Sequence, residues 1–148
     1  MNIRPATPDD GPAVGEILLE AGLAAWGAFL GAERIERANR GSEHPADLVA
    51  EDGDGVLAFV AWDPGTGEIL RLYTHPRAWG RGAGRALLER AISALRDGAI
   101  TQAWLHTEER NEIAIRFYEQ LGWRRDGAPR ERDWHGVRLR EPRFVRDL

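Results

Sequence analysis

The apolar positions of this chain change period several times, and each change marks an element. "NIRPAT" reads as a short opening strand. In "PDDGPAVGEILLEAGLAAW", Val14, Ile17, Leu18 and Ala21 recur three and four apart, which predicts a helix capped by Asp9 or Asp10. A second helix is expected over "AFLGAERIERANR", then a loop, "GSEHP". "ADLVAED" and "GVLAFVAWD" alternate as strands around the turn "DGDG", a hairpin pattern. After the turn "PGTG", "EILRLYTH" forms a third strand that Pro76 stops. From about Gly84 to Arg96 the helical period returns at Leu87, Leu88, Ala91, Ile92 and Leu95, with Gly98 to end it. "TQAWLHT" is a strand, and "NEIAIRFYEQLG" is a helix opened by Asn111 and closed by Gly122. "WRRDG" and "VRLREPRFV" complete the chain as strands. Strands in a run, then strand, helix, strand, helix, predict a mixed α/β (α+β) sheet. No repeat or linker divides residues 1–148, so one domain is expected.

Composition narrows the chemistry. There is no cysteine, which removes disulfides, thiolate zinc and cysteine nucleophiles and agrees with a cytoplasmic setting. All 20 basic residues are arginine, so no lysine Schiff base or P-loop lysine is available. The four histidines share no metal-ligand spacing, so no metal is expected. The opening "MNIRPATPDD" is unlike a signal peptide, and no apolar run approaches the roughly 20 residues of a membrane span. No basic strip is interleaved with aromatics, which argues against nucleic acid. Charge divides along the chain: Met1–Glu68 holds 13 acids and 4 arginines, whereas residues 69–148 hold 11 acids and 16 arginines. That split favours an anionic ligand on the second half and a cationic one, such as a polyamine, aminoglycoside or protein amino group, near the first.

The chemistry concentrates in "HPRAWGRGAGRALLERA". Glycines between a strand and a helix let main-chain N–H groups converge where the helix end is partially positive, which suits phosphate. A P-loop is excluded by the missing lysine. A dinucleotide fingerprint starting at Gly80 would place its third glycine on Arg85. A pyrophosphate clamp of the form Gln/Arg-x-x-Gly-x-Gly/Ala fits, with Trp79 at its first position, Gly82 at its first glycine and Gly84 at its second.

In that form "WGRGAGRALL" resembles the coenzyme A clamp of the GNAT superfamily of acetyl-CoA-dependent N-acetyltransferases, from which Trp79 departs. "NEIAIRFYEQLGW" resembles that family's second signature, with Asn111, Ala114, Phe117, Tyr118, Gly122 and Trp123 in register. The matches run from Glu68 to Trp123. They imply a single acyl-CoA N-acyltransferase domain whose mixed, mostly antiparallel central sheet is flanked by helices.

The resemblance also implies roles. Gly80, Arg81, Gly82, Ala83, Gly84 and Arg85 would surround the pyrophosphate. Leu72, Tyr73 and Thr74 would carry the pantetheine arm, with the main chain of Leu72 and Thr74 bonded to it and an amide near Leu72 facing the oxyanion. Asn111 would cap its helix and bond the arm, and Phe117 would wall it. Tyr118 would be the general acid that protonates the departing thiolate. The position at which some relatives carry a basic glutamate is Leu70 here, so Glu68 is the first alternative base, through a water; His75, Glu108 and Glu109 are others. Trp26 and Trp62 are open between acceptor-pocket and core roles. "VRLREPRFVRDL" offers an outer face or a homodimer edge. The expected activity is direct transfer of acetyl from acetyl-CoA to a primary amine. A non-catalytic acyl-CoA sensing module and an ATP-binding α/β enzyme are the alternatives.

Overall fold

The computed structural model describes residues 1–40 and 44–148. Gly41–Glu43, the start of the expected "GSEHP" loop, lie outside the described residues. Strands β1 (Asn2–Pro5), β2 (Leu48–Asp52), β3 (Gly55–Trp62) and β4 (Ile69–Thr74) form an antiparallel sheet in that order. A second sheet has the order β5 (Gln102–His106), β9 (Arg143–Asp147), β6 (Arg124–Arg125), again antiparallel. A separate hairpin joins β7 (Arg130–Trp134) to β8 (Val137–Glu141).

Strand β3 is buried on both faces, as its unbroken apolar run requires. Ala58 and Val60 face helix α3 (Ala83–Asp97), which brings Leu87, Leu88, Ala91, Ile92 and Leu95 into the main core. On the other face Phe59 and Val49 meet Val14 and Ile17 of helix α1 (Gly11–Leu30). Helix α4 (Glu112–Gln120) lies over the second sheet and contributes Ile115 and Tyr118 to the main core.

The two sheets touch through one parallel bridge, Glu68 to Trp104, beyond which β4 and β5 separate. Close approach there depends on Gly67. Its carbonyl accepts from the Trp104 N–H at 3.1 Å, and a Cβ on it would stand 2.6 Å from the Gln102 carbonyl oxygen. Its φ of +83° independently favours glycine.

The structure departs from the sequence reading in four places. The first helix runs on to Leu30 and breaks only at Gly31, φ +84°, so the second helix, α2, covers just Ala32–Asn39. "VRLREPRFV" is two strands, because Pro142 has no N–H to give a ladder. The strand in "WRRDG" shrinks to two residues. Strand β7, "RERDW", was not foreseen: it is polar almost throughout, and its turn through His135 and Gly136, both at positive φ, lacks the usual Asn-Gly or Asp-Gly. By length and composition Pro8–Leu30, which contains an 18-residue window of mean hydropathy 1.5, is long and apolar enough to cross a membrane, which corrects the reading of no such run. In this fold α1 lays Val14, Ile17 and Ala21 against the protein instead, and its Glu16 and Glu20 stay off the buried face.

Asp10 ties three elements together. Its carboxylate accepts two bonds from Arg4, at 2.8 and 2.9 Å, and the Thr7 N–H at 2.8 Å, closing a capping box at the start of the first helix. Arg4 also reaches Glu51 on β2 at 3.0 Å. The Arg4 hydrogen bonds hold the Asp10 carboxyl down at about 2. A depressed carboxyl stabilises the fold above its unfolded value near 3.8 and loses that contribution as pH falls through about 2. We therefore expect Asp10→Asn to cost about 2 kcal/mol at pH 7. In urea unfolding the gap to wild type should close as pH drops from about 4 to about 2. A gap that is the same at both ends would remove this assignment.

Candidate functional site

The N–H of His75 donates to the Leu57 carbonyl at 2.8 Å, which fixes the alternation along β4. Arg71 and Tyr73 turn their main-chain groups toward β3, and Leu72 and Thr74 turn theirs into the gap that opens toward β5. A free strand edge therefore faces the gap at the two residues expected to carry an extended arm.

Beyond β4 a short 3-10 turn, Pro76–Ala78, leads into the glycine loop. Gly82 caps α3 in the left-handed conformation, φ +86°. The first bond of the helix runs from the Ala86 N–H to the Gly82 carbonyl at 3.0 Å. The N–H groups of Gly80, Gly82, Ala83, Gly84 and Arg85 consequently have no main-chain acceptor among the described residues. Gly84 is needed for a different reason: a Cβ there would lie 3.1 Å from Thr74 Oγ1 and hold the helix off the strand. Trp79, the residue that departs from the clamp pattern, donates its indole N–H to the Thr74 carbonyl at 2.9 Å and staples the loop to β4.

A cavity of about 450 Å³ runs from this loop along the gap. Leu72, Tyr73, Thr74, Trp79, Gly80, Gly82, Ala83, Gly84, Arg85, Asn111, Phe117 and Tyr118, all expected at a cofactor, line it. Arg81 does not; its guanidinium pairs with Asp52 at 2.9 Å. Asn111 caps α4 by accepting the Ala114 N–H at 3.2 Å and also lines the cavity, so both of its expected positions coexist.

A second cavity, of about 390 Å³, lies on the other side of the same wall. The two share Trp26, Leu72, Tyr73, Asn111, Ala114 and Tyr118. The second is closed by the β7–β8 hairpin, whose Leu139 packs with Leu30 and Ile35 of the first two helices while Trp134 and Val137 flank them. Tyr118 thus stands between the cavities. Its ring packs edge-on against Phe117 at 5.1 Å and Trp123 at 5.6 Å, and its hydroxyl has no hydrogen-bond partner among the described residues. Burial, and to a smaller degree Tyr73, raises the phenol pKa further above an ordinary value that already lies well above neutral pH.

The expected bases fare differently. Glu68 lies outside the walls of both cavities, half-buried at the bridge; burial raises its pKa, against the pull of Arg130. His75 accepts the Arg77 N–H at 3.2 Å, and Glu109 pairs with Arg140. Glu108 lines the second cavity but is held by Arg110 at 2.6 Å and by the Arg140 N–H at 2.8 Å. Trp62 packs on the core. His44, His106, Arg71, Arg132 and Glu141 also line the second cavity, and no local pattern marked them as site residues. Burial first, then neighbouring arginines, lower the pKa of both His44 and His106, leaving neutral imidazoles. Among the described residues no group of His, Asp or Glu could hold a metal ion.

The model of the acetyltransferase (GNAT) family matches residues 12–123. The chain belongs to the GNAT family. A mycothiol acetyltransferase of Beutenbergia cavernae is 42% identical over 80 residues, covering 51% of this chain and 27% of that protein. The chain thus matches about a quarter of that relative's length. The ribosomal-protein-alanine N-acetyltransferase of Brucella melitensis is 26% identical, with a TM-score of 0.72 and full coverage of both chains. The PaiA N-acetyltransferase of Thermoplasma acidophilum, in complex with coenzyme A, shares the fold at 16% identity and TM-score 0.73, covering 99% of this chain and 98% of that one.

If the free amides between Gly80 and Arg85 seat a diphosphate, Gly82→Ala will strain the loop by about 1–2 kcal/mol, since its φ is left-handed. Coenzyme A binding measured by calorimetry should weaken about tenfold, while the melting temperature moves only a few degrees. Unchanged affinity would show that the loop is not the seat.

Proposed function

We propose that this GNAT chain transfers acetyl from acetyl-CoA to a primary amine, on a small molecule or a protein, by direct attack. The carrying observation is that a glycine-lined cavity and a second cavity on the far side of a shared wall meet at one phenol, Tyr118. The residues fit the co-substrate. Five free amides and Arg85 suit its diphosphate, and the open edge at Leu72 and Thr74 suits its extended amide-bearing arm. When bound, acetyl-CoA supplies the activated thioester.

The protein's own part is positioning and proton transfer. The Leu72 edge orients the carbonyl by a main-chain N–H. Tyr118 hands its proton to the departing sulfur, a role open to a phenol that is protonated at neutral pH and borders both cavities. The attacking amine must arrive without its extra proton. The neutral imidazoles of His44 and His106 in the second cavity support that step better than Glu68, which stands outside it. A sensing module would have no use for a second cavity on the far face of Tyr118, which is why the enzymatic reading is preferred.

Tyr118→Phe should lower kcat by 10² to 10³-fold, as order-of-magnitude losses of a general acid run, and leave coenzyme A affinity within about threefold. The assay is thiol release over an amine panel, with calorimetry for the cofactor. Full turnover in the variant would refute the acid role, and binding without turnover on any amine would favour the sensor.

A further inference from the structure

Arginines crowd the second cavity, and one of them is unlike the rest. Arg130 and Arg132 both reach Glu141, at 3.1 and 2.6 Å, so this trio carries one net positive charge. Glu108, the other carboxylate on the wall, is satisfied from outside it by Arg110. The Arg71 guanidinium has neither an ion pair nor a hydrogen bond among the described residues. Six further arginines share that condition: Arg40, Arg85, Arg90, Arg96, Arg116 and Arg125, all exposed to solvent. Arg71 alone of the seven is half-buried, on β4 and in the cavity wall.

A guanidinium has five donors and keeps its charge at any physiological pH. Withdrawing it from water without a partner costs free energy that an isolated surface arginine does not incur. Its neighbours on the wall cannot repay that cost. Its charge acts on His44 and on Tyr73, which locates it among these side chains, and neither supplies an anion at neutral pH. The wall as a whole holds three arginines against two carboxylates, one of them already neutralised. This reverses the cationic acceptor suggested by the acidic first half of the sequence, whose acids Glu51 and Asp52 pair elsewhere, with Arg4 and Arg81.

Resting on the N-acetyltransferase reading above, we infer that Arg71 receives an anionic group of the acceptor, so that the substrate is a small amine that also bears a carboxylate or phosphate. The amine points toward Tyr118 and the anion toward β4 at Arg71. The cavity of about 390 Å³ is of small-molecule size. A fork of guanidinium donors matches the two oxygens of either anion.

The test uses four matched amines: an amino carboxylic acid, its carboxamide, its phosphonic analogue and the decarboxylated amine. Kinetics are measured with wild type, Arg71→Gln and Arg71→Lys, and binding of the same four to coenzyme A-loaded protein is measured by NMR titration. Wild type should favour one of the anionic amines over carboxamide and decarboxylated amine by at least about tenfold, mainly through KM. Which anion wins distinguishes carboxylate from phosphate. Arg71→Gln should erase the preference between the anionic and the uncharged amines, and Arg71→Lys should keep part of it. Equal use of charged and uncharged amines, a preference that survives Arg71→Gln, or a wild-type preference for diamines would overturn the inference. If no amine turns over, the titration still decides it: an anion-dependent, Arg71-dependent affinity upholds the subsite while the transferase reading fails.

Discussion

The architecture depends on how two strands stop pairing. β4 and β5 run parallel and touch at one bridge, where Gly67 lets the chains come within hydrogen-bond range. Past it each strand is held by its own sheet, β4 by β3 and β5 by β9, so neither can close the gap without breaking a ladder. The unpaired polar edge at Leu72 and Thr74 is thereby kept available, although an open edge is ordinarily a liability that proteins cover. Helices α3 and α4 flank the opening and bring the free amides and the phenol to its two ends.

The wall between the cavities is shared, and that sharing determines the chemistry. Tyr118 belongs to the main core through Trp123 and Phe117, so its position is set by packing and not by hydrogen bonding. The same packing shields the ring and raises its pKa further above an ordinary value that already keeps it protonated at neutral pH. A change that loosened the α4 core would therefore also shift the phenol.

The glycine-loop cavity was legible in the sequence because its signals are local. Left-handed Gly82, close-packed Gly84, the cap Asn111 and the apolar period of α3 each lie within a few residues of what they control. The second cavity was not. Its roof is a hairpin whose strand "RERDW" has no buried alternation and whose turn is His-Gly, and its polar groups come from β4, β5, β8 and the segment at His44. Arg71 read as the ordinary polar member of an alternating strand, because the absence of a partner is visible only in three dimensions. Trp79 appeared to be a defect in a motif, since nothing in one dimension shows that its indole reaches back five residues to Thr74.

That indole has a mechanical consequence. By bracing the loop against the strand, it sets how far the amide nest stands from the phenol, and on the proposed reading the pair then acts as a ruler. A carrier whose arm is a few bonds shorter or longer would, on that reading, seat its head and present its sulfur at the wrong mark.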